Sequence, residues 1–278
     1  KNLNICYNSL DRYVETLRSA ILKPHQAYSA IGSGQGSDYQ QLNDSLLQIE
    51  NEFYSPIRPK RVSRPGETAL NALHRGGIEY VEVRCVDVSP FSPVGLDAEQ
   101  VRFLDTFLLF CLLEESPDCE DAEQAMLAAN LEVVVNRGRQ PGLVLQTPSG
   151  ERPLAEWAAA LLAAMQPVAA LQDTACSCNL YGASLQSQSA KVADPELTPS
   201  ARILREMRDQ DLPFFRLAMN YSLQWADYFR SRPLAPETEA AFEKEVQRSI
   251  TAQREIEAAD TISFEQYLRN YYAQYEAL

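Results

Sequence analysis

The chain has 278 residues, a formal net charge of −13 and 45% hydrophobic residues. This acidic balance argues against a nucleic-acid partner and against binding to an anionic membrane surface. The length allows one large domain or two modest ones.

The start of the chain and its cysteines bear on the cellular compartment. The first four residues contain neither an apolar signal-peptide core nor an initiator methionine, so we expect the chain to begin inside a longer gene product. The longest apolar stretch, Phe103–Leu113, is too short to span a bilayer.

The six cysteines are irregularly spaced, which indicates reduced thiols and a cytoplasmic protein. With only two histidines, any metal would be a hard cation held by carboxylates.

The first third of the chain mixes a helix with extended segments. Residues 9–23 predict an amphipathic helix, since Ser9 can cap it and apolar residues recur at helical spacing. Residues 46–54 alternate apolar and polar side chains, which predicts a strand. The polar face of this strand would carry Glu50, Glu52 and Tyr54.

A basic segment, 56–62, follows this strand in an otherwise acidic chain. Its prolines favour an extended backbone. It carries Arg58, Lys60 and Arg61 within four positions. The segment is either a solvated basic loop or a clamp for phosphates or carboxylates.

Residues 78–85 predict a second strand, because β-branched residues alternate with large polar ones. The period of two places Tyr80, Glu82 and Arg84 on one face, together with Ile78. A carboxylate and a guanidinium beside a phenol are typical of a site for a metal, a phosphate or an amino acid. The alternative is a surface ion pair of little energetic value.

From Asp97 onward the pattern is helical. The sequence therefore divides into a region of mixed structure, 1–95, and a helical region, 96–278, which we expect to pack on it. This division predicts an α+β fold. Helices are predicted over about 97–115, 120–136, 153–171, 198–209, 213–230, 236–259 and 263–276.

Several motifs together resemble the bacterial glutamate–cysteine ligase family. The most specific are the block Ile49-Glu50-Asn51-Glu52 through Pro56-Ile57-Arg58-Pro59-Lys60-Arg61 and the block Gly76-Gly77-Ile78-Glu79-Tyr80 through Val83-Arg84. The second block is followed by Ser89-Pro90-Phe91-Ser92-Pro93. Further matches span the whole chain in the family's order, and those in the helical region are weak by themselves: Lys1-Asn2-Leu3-Asn4-Ile5, Tyr7-Asn8-Ser9-Leu10, Val101-Arg102-Phe103-Leu104-Asp105, Ser200-Ala201-Arg202-Ile203-Leu204 and Glu257-Ala258-Ala259-Asp260. Family members are longer, and this chain is similar to their C-terminal half only.

The resemblance implies both a fold and a reaction. The N-terminal third would form part of a curved antiparallel sheet like that of glutamine synthetase, with helices outside it. The enzyme would join the γ-carboxylate of L-glutamate to the amine of L-cysteine through an acyl phosphate. ATP would be a substrate and Mg²⁺ or Mn²⁺ a cofactor. This is the first step of glutathione synthesis.

The resemblance and this chemistry assign roles to particular residues. Glu82 would bind the metal, with Glu50 and Glu52 as further ligands, although Glu50 could instead pair with the neighbouring arginines. Arg84 would be catalytic and would hold the transferring phosphate or the substrate carboxylate. Tyr54 would contact cysteine, and nucleotide contacts would come from Arg58, Lys60 and Arg61.

The N-terminal half of the same enzyme, in the same chain or in a separate one, would complete the site. The main alternative is a non-catalytic helical fragment or partner module that needs this missing half. A ligase for another pair of carboxylate and amine is a third possibility.

Overall fold

The computed structural model describes Leu3 and residues 5–34 and 38–278, so Lys1, Asn2 and Asn4 of the N-terminal motif lie outside it. Helices dominate, and the described strands pair as two small antiparallel ribbons. The predicted α+β class is therefore confirmed. Two compact units are present, one made of residues 1–86 and 234–278 and the other of residues 87–233.

The predicted boundary at residues 95 and 96 does not coincide with this division. It falls inside the second unit, and the last two helices belong to the first. The physical reason is that Tyr275, near the end of the chain, packs in the same core cluster as Leu17 and Leu70. That residues 96–278 form one helical region on the sheet stays a prediction.

The elements of the first unit come from both ends of the chain. Ser9 caps the first helix as predicted, since its side chain accepts a hydrogen bond from the Arg12 amide. In chain order the elements are α1 (Leu10–Leu22), α2 (Gln26–Ser29), β1 (Ile57–Lys60), α3 (Ala69–Gly76), β2 (Tyr80–Val83), α10 (Pro236–Ala259) and α11 (Phe264–Glu276).

The core of the first unit is built on one face of α1. Tyr13, Val14, Leu17 and Ile21 recur at helical spacing and are all buried. They form one cluster with buried side chains of α3 and α11, namely Leu70, Leu73 and Tyr275. Helix α3, which contributes to this cluster, lies against β1 of the ribbon.

The predicted strand over 46–54 is wrong. A short 3₁₀ turn occupies Glu50–Glu52, and the rest of the segment is irregular. Contacts with residues distant in the sequence explain the difference. The buried Glu50 carboxylate accepts hydrogen bonds from the Leu70 amide and the Tyr275 hydroxyl. An extended backbone that placed Glu50 on an open polar face would lose both hydrogen bonds.

The second unit is mainly helical. Its core contains the buried side chains of Phe110, Met165, Ala169 and Leu185. Its elements are α4 (Ala98–Leu113), α5 (Asp121–Arg137), β3 (Val144–Thr147), β4 (Gly150–Pro153), α6 (Leu154–Cys176), α7 (Leu180–Ala193), α8 (Pro199–Asp209) and α9 (Phe214–Arg230).

Helix α6 corrects one expectation from the sequence. By length and composition it is long and apolar enough to cross a membrane, whereas the sequence pattern predicts no such segment. A single such helix is weak evidence for a span, since a core helix of a globular protein passes the same test. Leu162, Met165 and Ala169 of α6 are buried in the core of the second unit.

Candidate functional site

The β1–β2 ribbon gathers several of the predicted site residues on one face. Its antiparallel register pairs Arg58 with Glu82 and Lys60 with Tyr80. Directly opposed residues share a face, as do residues two apart on one strand. Arg84, two positions after Glu82, continues the same row. We call Arg58, Lys60, Tyr80, Glu82 and Arg84 the charged face of the ribbon.

The opposite face of the ribbon is apolar and packs near the start of α1. Ile57, Pro59 and Val81 line a cavity of about 160 Å³ with Tyr13. Ile78 also lines this cavity, which corrects its predicted place beside Tyr80. Ile78 precedes β2, so the strand alternation does not extend to it. Pro59 is buried on this face, whereas Ile57, Ile78 and Val81 remain partly exposed around the cavity.

Glu82 is the centre of the charged face. Its Oε1 lies 3.0 Å from Nε of Arg84, and its Oε2 lies 3.8 Å from Nζ of Lys60. Oε2 is buried and has no hydrogen-bond partner. Arg84 first, and Lys60 and Arg58 with it, lower the pKa of Glu82 below its usual value. The carboxylate is therefore ionised at neutral pH.

Arg84 joins Glu82 to Tyr54. Its guanidinium carbon lies 5.5 Å from the centre of the Tyr54 ring, a cation–π distance. The Arg84 amide donates a 2.7 Å hydrogen bond to the carbonyl of Pro56, which fixes the backbone beside β1. Tyr54 itself is 71% exposed, so its outer ring face is open to a small molecule.

Arg58 is the buried cation of this group. It is only 4% exposed, and its Nη2 donates a 3.3 Å hydrogen bond to the main-chain carbonyl of Glu50. Its Nε is buried and has no hydrogen-bond partner. A buried guanidinium with an unused donor is costly unless an anion is near. In the register of the ribbon Arg58 faces Glu82.

Arg61 lies apart from the charged face. Its guanidinium donates to the carbonyls of Gly76 and Gly77, and Glu79 is 3.8 Å away. A Cβ at position 76 would come 2.7 Å from this guanidinium, so a larger residue there would push the Arg61 side chain aside. Arg61 thus secures the connection between α3 and β2, and its predicted nucleotide contact stays a prediction.

The structure does not bring the three predicted carboxylate ligands together. Glu50 is 3% exposed and bonded to Leu70 and Tyr275, whereas Oε2 of Glu52 accepts a 2.6 Å hydrogen bond from the Gln48 amide. Within residues 5–34 and 38–278, no three acidic, histidine or cysteine side chains form a group that could hold a metal ion. At the charged face the carboxylate is Glu82, whose Oε2 accepts no hydrogen bond and lies 3.8 Å from Nζ of Lys60.

Tyr275 is the residue near this site that the sequence did not reveal. The spacing of the C-terminal tyrosines predicts packing, and Tyr275 is indeed fully buried. Its hydroxyl also donates to the Glu50 carboxylate. No local signal links two residues 225 positions apart.

Comparisons with known proteins agree with the motifs. A family model described as glutamate-cysteine ligase matches residues 1–134. The glutamate–cysteine ligase of Azotobacter vinelandii is 47% identical over 98% of this chain, and that of Pseudomonas paraeruginosa is 44% identical over 98%. The chain covers 51% of each of these relatives, so it spans about half their length.

Two solved structures are also similar to this chain. A glutamate–cysteine ligase from Francisella tularensis, solved in complex with AMP, superposes on 99% of this chain with a TM-score of 0.91 and 32% identity. The chain covers 55% of that protein. A bifunctional glutathione synthetase from Pasteurella multocida matches 82% of the chain with a TM-score of 0.54 and 19% identity, which shows similarity of fold alone.

Proposed function

We propose that this chain, which is related to the bacterial glutamate–cysteine ligases along nearly its whole length, is the C-terminal part of an ATP-dependent ligase. The ligase joins the γ-carboxylate of L-glutamate to the amine of L-cysteine and releases ADP and phosphate. The rest of the enzyme, which this chain lacks relative to its relatives, completes the active site. ATP and cysteine in its thiol form are cytoplasmic reactants, so we place the enzyme there.

The charged face of the ribbon carries this proposal. A ligase that activates a carboxylate with ATP must bring two anions together, and cationic side chains lower the repulsion between them. Arg58, Lys60 and Arg84 supply three cations around the single carboxylate Glu82. The AMP bound to the Francisella ligase supports a nucleotide as one of the ligands.

The proposed reaction has two steps. An oxygen of the glutamate γ-carboxylate attacks the γ-phosphorus of ATP, the bond to the β-phosphate oxygen breaks, and ADP leaves. The cysteine amine then attacks the acyl carbon, phosphate leaves and the amine loses a proton. Arg84 holds the transferring phosphoryl group or the substrate carboxylate with its planar donors. No described residue stands out as the base that takes the amine proton.

The remaining contacts are assigned by position. Tyr54, open on one ring face and stacked with Arg84 on the other, contacts the cysteine substrate. Arg58 and Lys60 bind nucleotide phosphates from the same face as Arg84. Arg61 is a weaker candidate, because two of its donors already bond to the Gly76 and Gly77 carbonyls.

The proposed cofactor is Mg²⁺ or Mn²⁺, which would neutralise charge on the phosphates. Magnesium requires about six oxygen ligands. Glu82 contributes one suitable oxygen, whereas the carboxylates of Glu50 and Glu52 are engaged elsewhere. The described residues therefore do not form a complete metal site. Further ligands would come from ATP, water or the part of the enzyme outside this chain.

An assay of ADP release tests the proposal. We expect no ADP from this chain alone with ATP, Mg²⁺, glutamate and cysteine, and ADP formation once the missing half is supplied. Substituting other amino acids for cysteine would reveal a different ligase. If neither the chain nor the completed protein releases ADP, the chain is the non-catalytic module of the alternative. This alternative stays open because the chain covers only about half the length of its relatives.

A further inference from the structure

We propose that Tyr275 and Glu50 are positioning residues that hold Arg58 on the charged face in the orientation that binds the phosphates of a nucleoside triphosphate. The inference deepens the proposed function and rests on it, because Arg58 is taken there as a phosphate contact. It assigns a role near the site to the C-terminal helix α11, which carries none of the predicted ligands.

Glu50 connects three elements of the first unit. One carboxylate oxygen accepts a 3.1 Å hydrogen bond from the Leu70 amide in the first turn of α3. The other accepts from the Tyr275 hydroxyl of α11. Its main-chain carbonyl accepts from Nη2 of Arg58 on β1. A residue that is 3% exposed and bonded in three directions has little freedom to move.

Arg58 depends on this support because it is buried itself. It is 4% exposed, its Nε has no hydrogen-bond partner, and only Nη2 is tied to Glu50. Tyr13, whose pKa burial raises to about 12, also shares a side-chain hydrogen bond with Arg58. The guanidinium is thus held by Glu50 and Tyr13, and its buried Nε is the donor left to pair with an anion.

Tyr275 acts as a fixed donor to this network. Burial, and the Glu50 carboxylate next, raise the pKa of Tyr275, so its hydroxyl keeps its proton. Replacing Tyr275 with Phe keeps the ring in the core and removes the hydroxyl that bonds to Glu50 and to Tyr271. A buried oxygen of Glu50 then lacks its partner, and the turn at Glu50–Glu52 that holds Arg58 relaxes.

The test compares Tyr275→Phe with Tyr272→Phe in the complete gene product that contains this sequence. Tyr272 is the matched control: its hydroxyl, also on α11, donates a 2.8 Å hydrogen bond to the Gln48 carbonyl and makes none to Glu50. The readout is the dissociation constant of ATP with Mg²⁺, measured by equilibrium binding well below the unfolding temperature. We expect Tyr275→Phe to weaken ATP binding roughly tenfold, the effect typical of losing a residue that supports a ligand. The control should change it less than about twofold.

A second variant keeps the test decisive if Tyr275→Phe fails to fold. Glu50→Gln retains the side-chain size and one acceptor, and it should weaken ATP binding by a similar factor. In the double variant the two losses should not add, because both act through Arg58. Unchanged ATP affinity in either folded variant, equal losses in Tyr275→Phe and Tyr272→Phe, or additive losses would overturn the proposal.

The two proposals fail in different ways. If the wild-type protein binds ATP but releases no ADP with glutamate and cysteine, the ligase function is wrong and the comparison of affinities still applies. If the wild-type protein is an active ligase and Tyr275→Phe binds ATP normally, the ligase function stands and the positioning role is wrong.

Discussion

The Arg84 guanidinium lies between the Tyr54 ring, 5.5 Å from its centre, and the Glu82 carboxylate, 3.0 Å from Nε. Through the cation–π contact and the ion pair, Arg84 links two segments that lie thirty positions apart in the sequence. It also leaves the remaining guanidinium donors for a ligand. The side chain of Arg84 is 30% exposed, so its loss should affect function more than folding.

Replacing Arg84 with Lys keeps the charge but removes the planar donors and the stacking on Tyr54. We expect kcat/KM of the completed ligase to fall about tenfold or more, with little change in the free energy of unfolding. Steady-state kinetics and denaturant titration measure the two quantities. Arg75→Lys is the control, since Arg75 pairs with Glu67 away from the charged face. Normal rate and normal glutamate affinity in Arg84→Lys would remove Arg84 from the site.

Replacing Glu82 with Gln tests its role as a metal ligand. The Mg²⁺ concentration for half-maximal activity should rise roughly tenfold or more, because an amide oxygen is a weaker ligand for a hard cation. Glu79→Gln is the control, since Glu79 lies just before β2 and bonds to the Val62 amide. If Glu82→Gln shows the wild-type Mg²⁺ dependence and turnover, then Glu82 serves only to pair with Arg84 and Lys60.

The pair of Glu67 and Arg75 gives a prediction for stability against pH. Arg75, and next the Arg64 amide, lower the pKa of Glu67 to about 2 from a usual 4.5. A lowered pKa in the folded state means that the ionised form stabilises the fold above the unfolded value. This contribution disappears as the pH falls from 4.5 towards 2.

The measurement is the free energy of unfolding of wild type and Glu67→Gln across this pH range. The advantage of the wild type should be constant above pH 4.5 and vanish near pH 2. Arg75→Gln should remove most of the same pH dependence, because it removes the main partner. A difference between wild type and Glu67→Gln that does not vary with pH would contradict the ion-pair explanation.

The core of the second unit predicts a large loss of stability at Leu185. Its side chain is fully buried against α4 and α6, so Leu185→Ala should cost about 2–5 kcal/mol of unfolding free energy. Leu171→Ala is the control, since Leu171 of α6 is 60% exposed and should change stability by less than about 0.5 kcal/mol. Equal losses at the two positions would mean that this apolar side of α6 is covered in solution.

Local sequence signals predicted most of the helices. Ser9, Asp97 and Thr198 each cap a helix through the side-chain hydrogen bond that the sequence suggests. The apolar pattern did not predict α3, although Thr68 at its start and Gly77 with a positive φ at its end are clear signals. It also missed α7 and the β3–β4 ribbon.

The candidate site was predictable only in part. Alternation along β2 placed Glu82 and Arg84 together, and the ion pair confirms that placement. The register that adds Arg58 and Lys60 to the same face depends on pairing with β1, which alternation in one strand cannot give. The turn at Glu50 depends on Tyr275, whose partner lies at the other end of the chain. Whether these residues bind the proposed substrates stays a prediction.

The position of Tyr275 has a practical consequence for recombinant work. It lies three residues before Leu278, and its carbonyl also accepts a 2.6 Å hydrogen bond from Nε of Arg18. A truncation that removes Tyr275 would remove both bonds and leave the Glu50 carboxylate without this donor. Truncation or insertion points should therefore be placed outside α11, where these two bonds are kept.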